Sequence, residues 1–207
     1  MKITHDKRSR GRPAKSGRDT AQTKAALINS GVEHFTEFGF ASSGLDKILK
    51  KVSVPKGSFY YYFANKEDFG LAVISHYDGY FSRKLAIHLN NETLSAEQRL
   101  LSFVEDAKSG IEKYQYRRGC LVGNLEQEVS VLPPSHRDKL SQVMQGWQRK
   151  VASNIKLINS TTSQQESESL AEFFWIGWEG AVSRCKLVKS TQPIDLFIGH
   201  FLQLIRK

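Results

Sequence analysis

Cysteine is scarce in this chain, and long hydrophobic runs are absent. Only Cys120 and Cys185 occur among 207 residues, which excludes a disulfide-rich scaffold and favours reduced thiols in the cytoplasm. No apolar run approaches the roughly 20 residues that a membrane-spanning helix needs. The charged N-terminus lacks the apolar stretch of a secretory signal. We therefore expect a cytoplasmic protein with no membrane partner, built as one large or two small domains.

Sequence motifs for catalysis and for metal or cofactor binding are also missing. None of the six histidines belongs to a pair with metal-ligand spacing, and there is no glycine-rich phosphate loop or nucleophile elbow. Glu126 and Glu128 are two residues apart, so their side chains would diverge on a helix. We therefore expect no catalytic site, no metal and no cofactor. The rival hypothesis is that the protein is an enzyme. Turnover of an electrophile that leaves Cys120 unmodified would favour it.

Positive charge is concentrated at the N-terminus. Residues 1–18 hold seven Lys and Arg side chains against one Asp, a net +6 within the chain's formal +9. The lack of aromatic residues and helical periodicity predicts that residues 1–19 form a disordered basic arm. Arg10 and Arg12 flank a glycine ahead of Pro13, and such an arm can lie in a narrow A·T minor groove. The alternative is a solvated tail that only aids solubility.

Two short helices separated by a tight turn are predicted between Ser43 and Lys66. The first carries three apolar residues at the spacing of one buried helical face: Leu45, Ile48 and Leu49. Pro55 should end this helix and suit the first turn of the next. We expect Ser53 to cap the second helix.

The second helix of this pair has one apolar and one polar side. Phe59 and Phe63, four residues apart, should anchor it in a core. The opposite side offers donors, hydroxyls, flat rings and a bare backbone, namely Lys56, Gly57, Ser58, Tyr60, Tyr61 and Tyr62. Such a surface suits the major groove of DNA and its phosphates. The pattern therefore predicts a helix-turn-helix.

Helical patterns cover most of the remaining chain. We expect further helices over residues 20–38, 66–89, 95–116, 121–131, 135–159, 165–190 and from 193 onward. Gly39 should end the first of these, Asn65 should cap the second, and Ser95 should begin a capping box at the start of the third. The helix over 165–190 is apolar nearly all round, which predicts burial on all sides. Gly177 and Gly180 would let another helix approach it closely. The last two helices should pair with their symmetry mates as a four-helix interface.

The segment FTEFGFASSGLDKILKKVSVPKGSFYYYFANKEDF resembles the DNA-binding head of the tetracycline-repressor (TetR) family of bacterial regulators. The resemblance implies an all-α homodimer of about nine helices per subunit. It implies a helix-turn-helix domain over 20–65 and an effector-binding and dimerisation domain over 66–207. Effector binding would release a palindromic operator. Seven residues match family DNA-contact positions: Ser43, Lys56, Gly57, Ser58, Tyr60, Tyr61 and Lys66. Tyr62 occupies a position where the family more often has histidine.

Cys120 is the candidate sensing residue. Arg117 and Arg118 precede it and a helix is expected to start beside it, features that stabilise a thiolate and predict a lowered thiol pKa. The alternative is a buried cysteine that behaves as a small apolar residue.

The segments RRGCLVGNLEQEV and FFWIGWEGAVSRCKLVKS resemble the branch of the TetR family that includes the regulators AcuR and NemR. This resemblance implies a response to acrylate-type or other electrophilic molecules, with Cys120 as the reactive group. It places Lys186 where it could approach the thiolate, although a plain surface lysine is the alternative. The residues that are expected either to line the effector pocket or to pack in the core include Asn124, Trp175 and Trp178.

Two other mechanisms stay open at this point. The effector could bind reversibly in an apolar pocket, without covalent chemistry. The chain could also be an architectural DNA-binding protein that uses the arginine arm. An architectural protein would show no dependence on small molecules, and its DNA binding would survive deletion of residues 95–207.

Overall fold

The computed structural model describes residues 19–206, which form nine α-helices and no strands. The helices are α1 (Thr20–Phe38), α2 (Leu45–Lys51), α3 (Lys56–Phe59), α4 (Lys66–Leu89), α5 (Ala96–Lys113), α6 (Leu121–Glu126), α7 (Pro134–Ile158), α8 (Gln164–Val188) and α9 (Gln192–Ile205). The predicted all-α fold is therefore confirmed. The predictions for the basic arm, including Arg10 and Arg12, lie outside the described residues. Within 19–206, no helix combines the length and apolar character that crossing a membrane requires.

Helices α1–α3, here called the head, pack around a small aromatic core. Helix α1 ends as predicted at Gly39, whose φ of +77° lies in a region that side chains disfavour. Phe40 then returns to the core and meets the ring of Phe35 edge-on at 5.4 Å. The turn after α1 is therefore held by its own aromatic side chain.

The turn between α2 and α3 differs from the prediction. Ser53 does not cap α3. Its φ is +58°, and Pro55 occupies the capping position. Helix α3 is also only four residues long, because the backbone turns after Phe59. Phe59 and Phe63 are both buried, as predicted, and their rings pack edge-on against Phe69 of α4. Packing on α4 therefore holds the short α3 in place.

Helix α4 joins the head to helices α5–α9, here called the body. Asn65 caps it as predicted, accepting a hydrogen bond from the main-chain N–H of Asp68 at 2.8 Å. One side of α4 packs on α1, and others pack on α5 and α7. This contact with both groups explains why its apolar residues cover more than one face.

The body begins with a well-capped α5 and a shorter α6 than predicted. Ser95 and Gln98 form a capping box at the start of α5. Helix α6 ends at Glu126, five residues before the predicted end, and turns continue to Pro133. Before α6, Gln115 and Tyr116 both have positive φ, so the chain bends sharply between α5 and Cys120.

Helix α8 is not buried on all sides within one chain, contrary to the prediction. Its inner face packs on α7 and α9, while Ile176 is 68% exposed. Gly177 allows the close approach to a helix that the sequence indicated, because a Cβ there would overlap the ring of Phe197 on α9. A Cβ at Gly180 would meet nothing within 4 Å. The apolar pattern of α8 therefore comes from two faces, an inner one that packs on α7 and α9 and an outer one that is exposed.

Candidate DNA interface and effector cavity

The polar side of α3 is exposed. Tyr60 and Tyr61 are 57% and 74% exposed, and Lys56 and Ser58 are exposed beside them. A Cβ at Gly57 would meet nothing within 4 Å, so the backbone there can be approached closely. Large rings left in solvent at the tip of a small domain indicate a binding surface. The arrangement can present hydroxyls, rings and a lysine to one ligand.

Three other predicted DNA-contact residues lie differently. Ser43 is buried, and its hydroxyl donates to the carbonyl oxygen of Gly39. Tyr62 is half-buried and packs on the core. Lys66 donates from Nζ to the carbonyl oxygen of Phe40 at 2.8 Å and lies over its ring at 4.3 Å. Burial lowers the pKa of Lys66. The structure thus brings Lys56 and the exposed tyrosines together, and ties Ser43 and Lys66 to the turn after α1.

A cavity of about 560 Å³ lies between the head and the body. Its walls come from α1, α4, α5, the loop before α6, and α8. Among its lining residues are Glu33, His76, Tyr77, Arg83, Lys84, Gly110, Tyr114, Arg118, Cys120 and Trp178. The volume falls within the range of small-molecule sites. Apolar surface forms most of the lining, with aromatic rings and charged side chains among its residues.

Cys120 borders this cavity, but its ionisation differs from the prediction. The thiol is buried, and burial raises its pKa well above the ordinary value. The nearby Glu179 charge raises the thiol pKa further. A hydrogen bond from the main-chain N–H of Gly123 favours the thiolate but is outweighed. The expected lowering of the Cys120 pKa is therefore wrong.

The arginines before Cys120 do not act on its thiol. Arg117 is exposed, whereas Arg118 lies 3.2 Å from a carboxylate oxygen of Glu33 and stacks on the ring of Tyr114 at 4.2 Å. Glu33 also pairs with Lys51 of α2. Arg118 therefore links the loop before α6 to the head, and its charge is compensated there.

Lys186 reaches the segment that contains Cys120. Its Nζ lies 3.5 Å from the amide oxygen of Asn124. Its stem passes Gly119, where an added Cβ would lie 3.2 Å from Lys186 Cδ. Burial lowers the pKa of Lys186, and the nearby charge of Lys189 lowers it further. Lys186 therefore contacts the residues on either side of Cys120.

Of the other residues expected at the pocket, one lines the cavity and two do not. Trp178 lines the cavity. Trp175 is buried in an aromatic cluster, 5.3 Å from the ring of Trp147, and does not border the cavity. Asn124 faces the head instead, where Nδ2 donates to the carbonyl oxygens of Phe35 at 3.1 Å and Thr36 at 2.7 Å. Trp175 therefore packs in the core, and Asn124 joins body to head.

Two acidic residues near this site were missed from the sequence. Glu128 accepts hydrogen bonds from the main-chain N–H groups of Phe40 and Ala41, at 2.9 and 2.8 Å. Glu179 contacts the Cys120 thiol, and burial raises the pKa of this carboxyl to about 8. From the sequence, Glu128 was considered only as a catalytic carboxylate. The one signal that could have identified Glu179 was the presence of an acid within an apolar helix. Across residues 19–206, no group of three or more His, Cys, Asp or Glu side chains is arranged to hold a metal ion.

Comparison with known proteins gives two family matches. Residues 27–73 match the profile of bacterial regulatory proteins of the tetR family. Residues 96–201 match the C-terminal domain of tetracycline-repressor-like proteins. Together they cover the head from Leu27 onward, the start of α4 and nearly all of α5–α9.

Individual relatives extend the match over most of the chain. The transcriptional regulator AcuR of Cereibacter sphaeroides is 44% identical over 93% of this chain and 89% of its own length. The transcriptional repressor NemR of Escherichia coli is 26% identical over 88% of this chain and 94% of its own. A regulatory protein TetR from Rhodobacter sphaeroides superimposes with a TM-score of 0.82 at 44% identity, covering 86% of this chain and 96% of that one.

Proposed function

The chain belongs to the TetR family of bacterial transcriptional regulators, and on that premise we propose that it is a repressor released from its operator by a small-molecule effector. Regulation of transcription by binding DNA follows from membership of the family.

The single observation that carries the proposal is the position of the 560 Å³ cavity. Glu33 on α1 and Arg118 in the body face the same space. A molecule in the cavity therefore touches the head and the body at once. Because a ligand shifts an equilibrium only through different contacts in the two states, a site at a movable junction is suited to switching. Occupancy can change how α1 sits on the body.

We propose that the effector is electrophilic and reacts with Cys120. The thiol borders the cavity, so a bound molecule would lie against the sulfur. Lys186 and Asn124 contact each other and flank the Cys120 segment, and Trp178 supplies an apolar wall. Trp175, in the core behind Trp178, would support that wall by packing. Reversible binding in the same cavity is the competing mechanism, and a Cys120→Ser variant separates the two.

On DNA, the exposed side of α3 is proposed to enter the major groove. Lys56, Ser58, Tyr60 and Tyr61 supply donors and rings, and the bare backbone of Gly57 permits close approach. Further residues complete the proposed contacts: Tyr62, Lys66 and, in the minor groove, the arm residues Arg10 and Arg12. Ser43, which the sequence indicated as a contact, is buried and would instead hold the turn after α1 in place. The operator would be palindromic, because a symmetric dimer presents two such helices. We place the protein in the cytoplasm with its DNA.

The exposed apolar face of α8 and α9 is proposed as the homodimer interface. Ile176 and Leu196 are 68% and 65% exposed, and Gly180 leaves room for a partner backbone. These residues lie on the two helices that would pair with their symmetry mates. Removing this apolar surface from water stabilises association by roughly 25 cal/mol per Å².

Filling the cavity tests the effector site. Gly110 lines the cavity, and a side chain there would have open space before it. Gly110→Phe should keep operator binding but lose release by acrylate and by N-ethylmaleimide. The operator is a duplex recovered by selecting bound DNA fragments, and binding is measured by fluorescence anisotropy.

Gly146→Phe is the matched control, because Gly146 is a half-buried helical glycine with comparable space on α7, away from the cavity. It should respond like the wild type. Release from Gly110→Phe at wild-type concentrations of both probes would contradict this location of the site. DNA binding that neither probe affects in the wild type would instead favour an architectural protein.

A further inference from the structure

A half-buried acid, Glu179, lies behind the cysteine that borders the cavity. Cys120 and Tyr77 line the cavity, whereas Glu179 of α8 approaches the thiol from the other side and does not line it. The Glu179 carboxylate also rests against Gly123 of α6, where a Cβ would overlap it. The thiol thus lies between a space for a ligand and a carboxyl group.

One oxygen of the Glu179 carboxyl, Oε1, is buried and forms no hydrogen bond with any of the described residues. A buried polar atom without a partner is costly, and a catalytic role is one of the explanations for its presence. Arg184 of the same helix borders a separate surface groove with Glu126 and Glu179. Neither Arg184 nor any other cation forms an ion pair with Glu179 among the described residues.

We propose that Glu179 is the proton acceptor that activates Cys120 toward α,β-unsaturated carbonyl compounds bound in the cavity. This inference rests on the proposed covalent sensing by Cys120. A thiol whose ionisation is suppressed by burial needs a base within reach, because the thiolate is the nucleophile. Of the residues around the thiol, Tyr77 is ruled out as this base, since its phenol stays protonated at neutral pH and burial raises its pKa further.

The step balances without any further reactant. The S–H proton of Cys120 passes to the Glu179 carboxylate as sulfur forms a bond to the β-carbon of the unsaturated compound. The π electrons move to the carbonyl oxygen as an enolate. The α-carbon then takes a proton from water in the open cavity, because Glu179 does not line it, and Glu179 releases its proton to solvent at the surface groove, so no water is consumed overall. The net change is addition of S–H across the C=C bond, with no oxidation or reduction.

The ionisation of Glu179 suits this role near neutral pH. Burial and the charge of Glu126 raise its pKa to about 8, while its contact with Cys120 opposes the shift. Roughly a tenth of the molecules therefore carry the carboxylate form at pH 7. The titratable groups that face it are Cys120 from the start of α6, Glu126 from its end and Tyr77 from α4. A base with a pKa close to the working pH is the most effective one.

The rate of Cys120 alkylation by N-ethylmaleimide tests the proposal. The full-length dimer is treated without DNA at several pH values, and each cysteine is followed by mass spectrometry. Glu179→Gln should slow Cys120 modification at pH 7.5 by roughly 10- to 100-fold. The wild-type rate should level off above pH 8, whereas the variant rate should keep rising toward the raised thiol pKa.

A purely electrostatic role of Glu179 predicts the opposite change in the alkylation rate. If Glu179 only repels the thiolate, removing its charge lowers the Cys120 pKa and speeds alkylation. An equal or faster rate in Glu179→Gln would therefore overturn the proposal. Glu126→Gln is the matched control, since it removes a nearby acid that does not touch the thiol, and it should change the rate far less.

Further controls separate this proposal from covalent sensing itself. Gly123→Ala should also slow the reaction, because the new Cβ displaces the Glu179 carboxylate. Cys185, fully buried and away from the cavity, reports any general loosening of the fold. No modification of wild-type Cys120 at all would overturn both ideas. Modification at an unchanged rate in Glu179→Gln would overturn only the assignment of the proton acceptor.

Discussion

The carboxylate of Glu128 accepts a hydrogen bond from the main-chain N–H of Phe40 at 2.9 Å, although 88 residues separate them in the chain. The same oxygen accepts from Ala41. A short way upstream, Asn124 donates to the carbonyl oxygens of Phe35 and Thr36. The segment that begins at the cavity therefore holds the end of α1 and the turn that leads to α2. Residues 120–128 thus connect the cavity wall to the head.

Removing the Glu128 carboxylate should loosen this connection. Glu128→Ala leaves two main-chain donors without their charged partner, so we expect a loss of roughly 1–3 kcal/mol in the free energy of unfolding. Urea denaturation followed by circular dichroism measures it. Glu92→Ala, at an exposed acid in the turn before α5, should cost much less. Equal small losses in both variants would show that the hydrogen bond to Phe40 does not stabilise the fold.

Charge on the outer face of α8 should separate the subunits. Ile176→Glu places a carboxylate in the proposed interface, so the protein should sediment as a monomer and lose most operator affinity. Leu157→Glu is the matched control, since Leu157 on α7 is 64% exposed, nearly the same as Ile176. Analytical ultracentrifugation distinguishes the two outcomes. A dimeric Ile176→Glu protein would contradict this interface.

Lysine at the start of α4 should contribute to phosphate binding. Lys66→Ala is expected to weaken binding to all DNA sequences and to reduce the slope of log affinity against log salt by about one for each phosphate that the lysine neutralises. Because Lys66 also bonds to Phe40, the variant should lose some stability as well. Lys56→Ala should cost more affinity. Salt titrations of operator binding that leave both slope and affinity of Lys66→Ala unchanged would contradict the proposed docking.

The stability of the protein should depend on pH through Glu179. Its pKa is raised from 4.5 to about 8 in the folded state, so the folded protein retains a proton that the unfolded chain releases. Below about pH 4.5 both states are protonated and the group costs nothing through ionisation. Between that pH and about 8 the folded state loses stability as pH rises, and above 8 the loss is constant.

Glu179→Gln removes this titration. The variant should therefore gain stability relative to the wild type as pH rises, reaching on the order of a few kcal/mol above pH 8. Thermal unfolding of both proteins across pH 4–9 measures the difference. A stability difference that does not change with pH would contradict the raised pKa.

Local signals in the sequence predicted much of the fold. Asn65 and Ser95 cap helices, and Gly39 ends one, because each acts through hydrogen bonds or backbone freedom within a few residues. Helix α3 was predicted too long because packing of Phe59 on α4, rather than helix propensity, holds it. Helix α8 was predicted as buried because an apolar pattern does not distinguish contact within a chain from contact between chains.

The site depended on contacts between distant segments, and those were not predictable. Arg118 stands beside Cys120 in sequence, which suggested a low thiol pKa. In the structure Arg118 instead pairs with Glu33, while Glu179 arrives at the thiol from α8. The resemblance to a family identified Cys120 as a candidate, but it did not reveal how the thiol is surrounded. The packing of α4, α6 and α8 around the thiol determines that.

The most direct test of the account is operator release by an electrophile. Operator binding is measured by fluorescence anisotropy before and after treatment with N-ethylmaleimide, for the wild type and for Cys120→Ser. We expect the wild type to release the operator and the variant, with the same initial affinity, to stay bound. Equal release from both proteins would contradict sensing through Cys120.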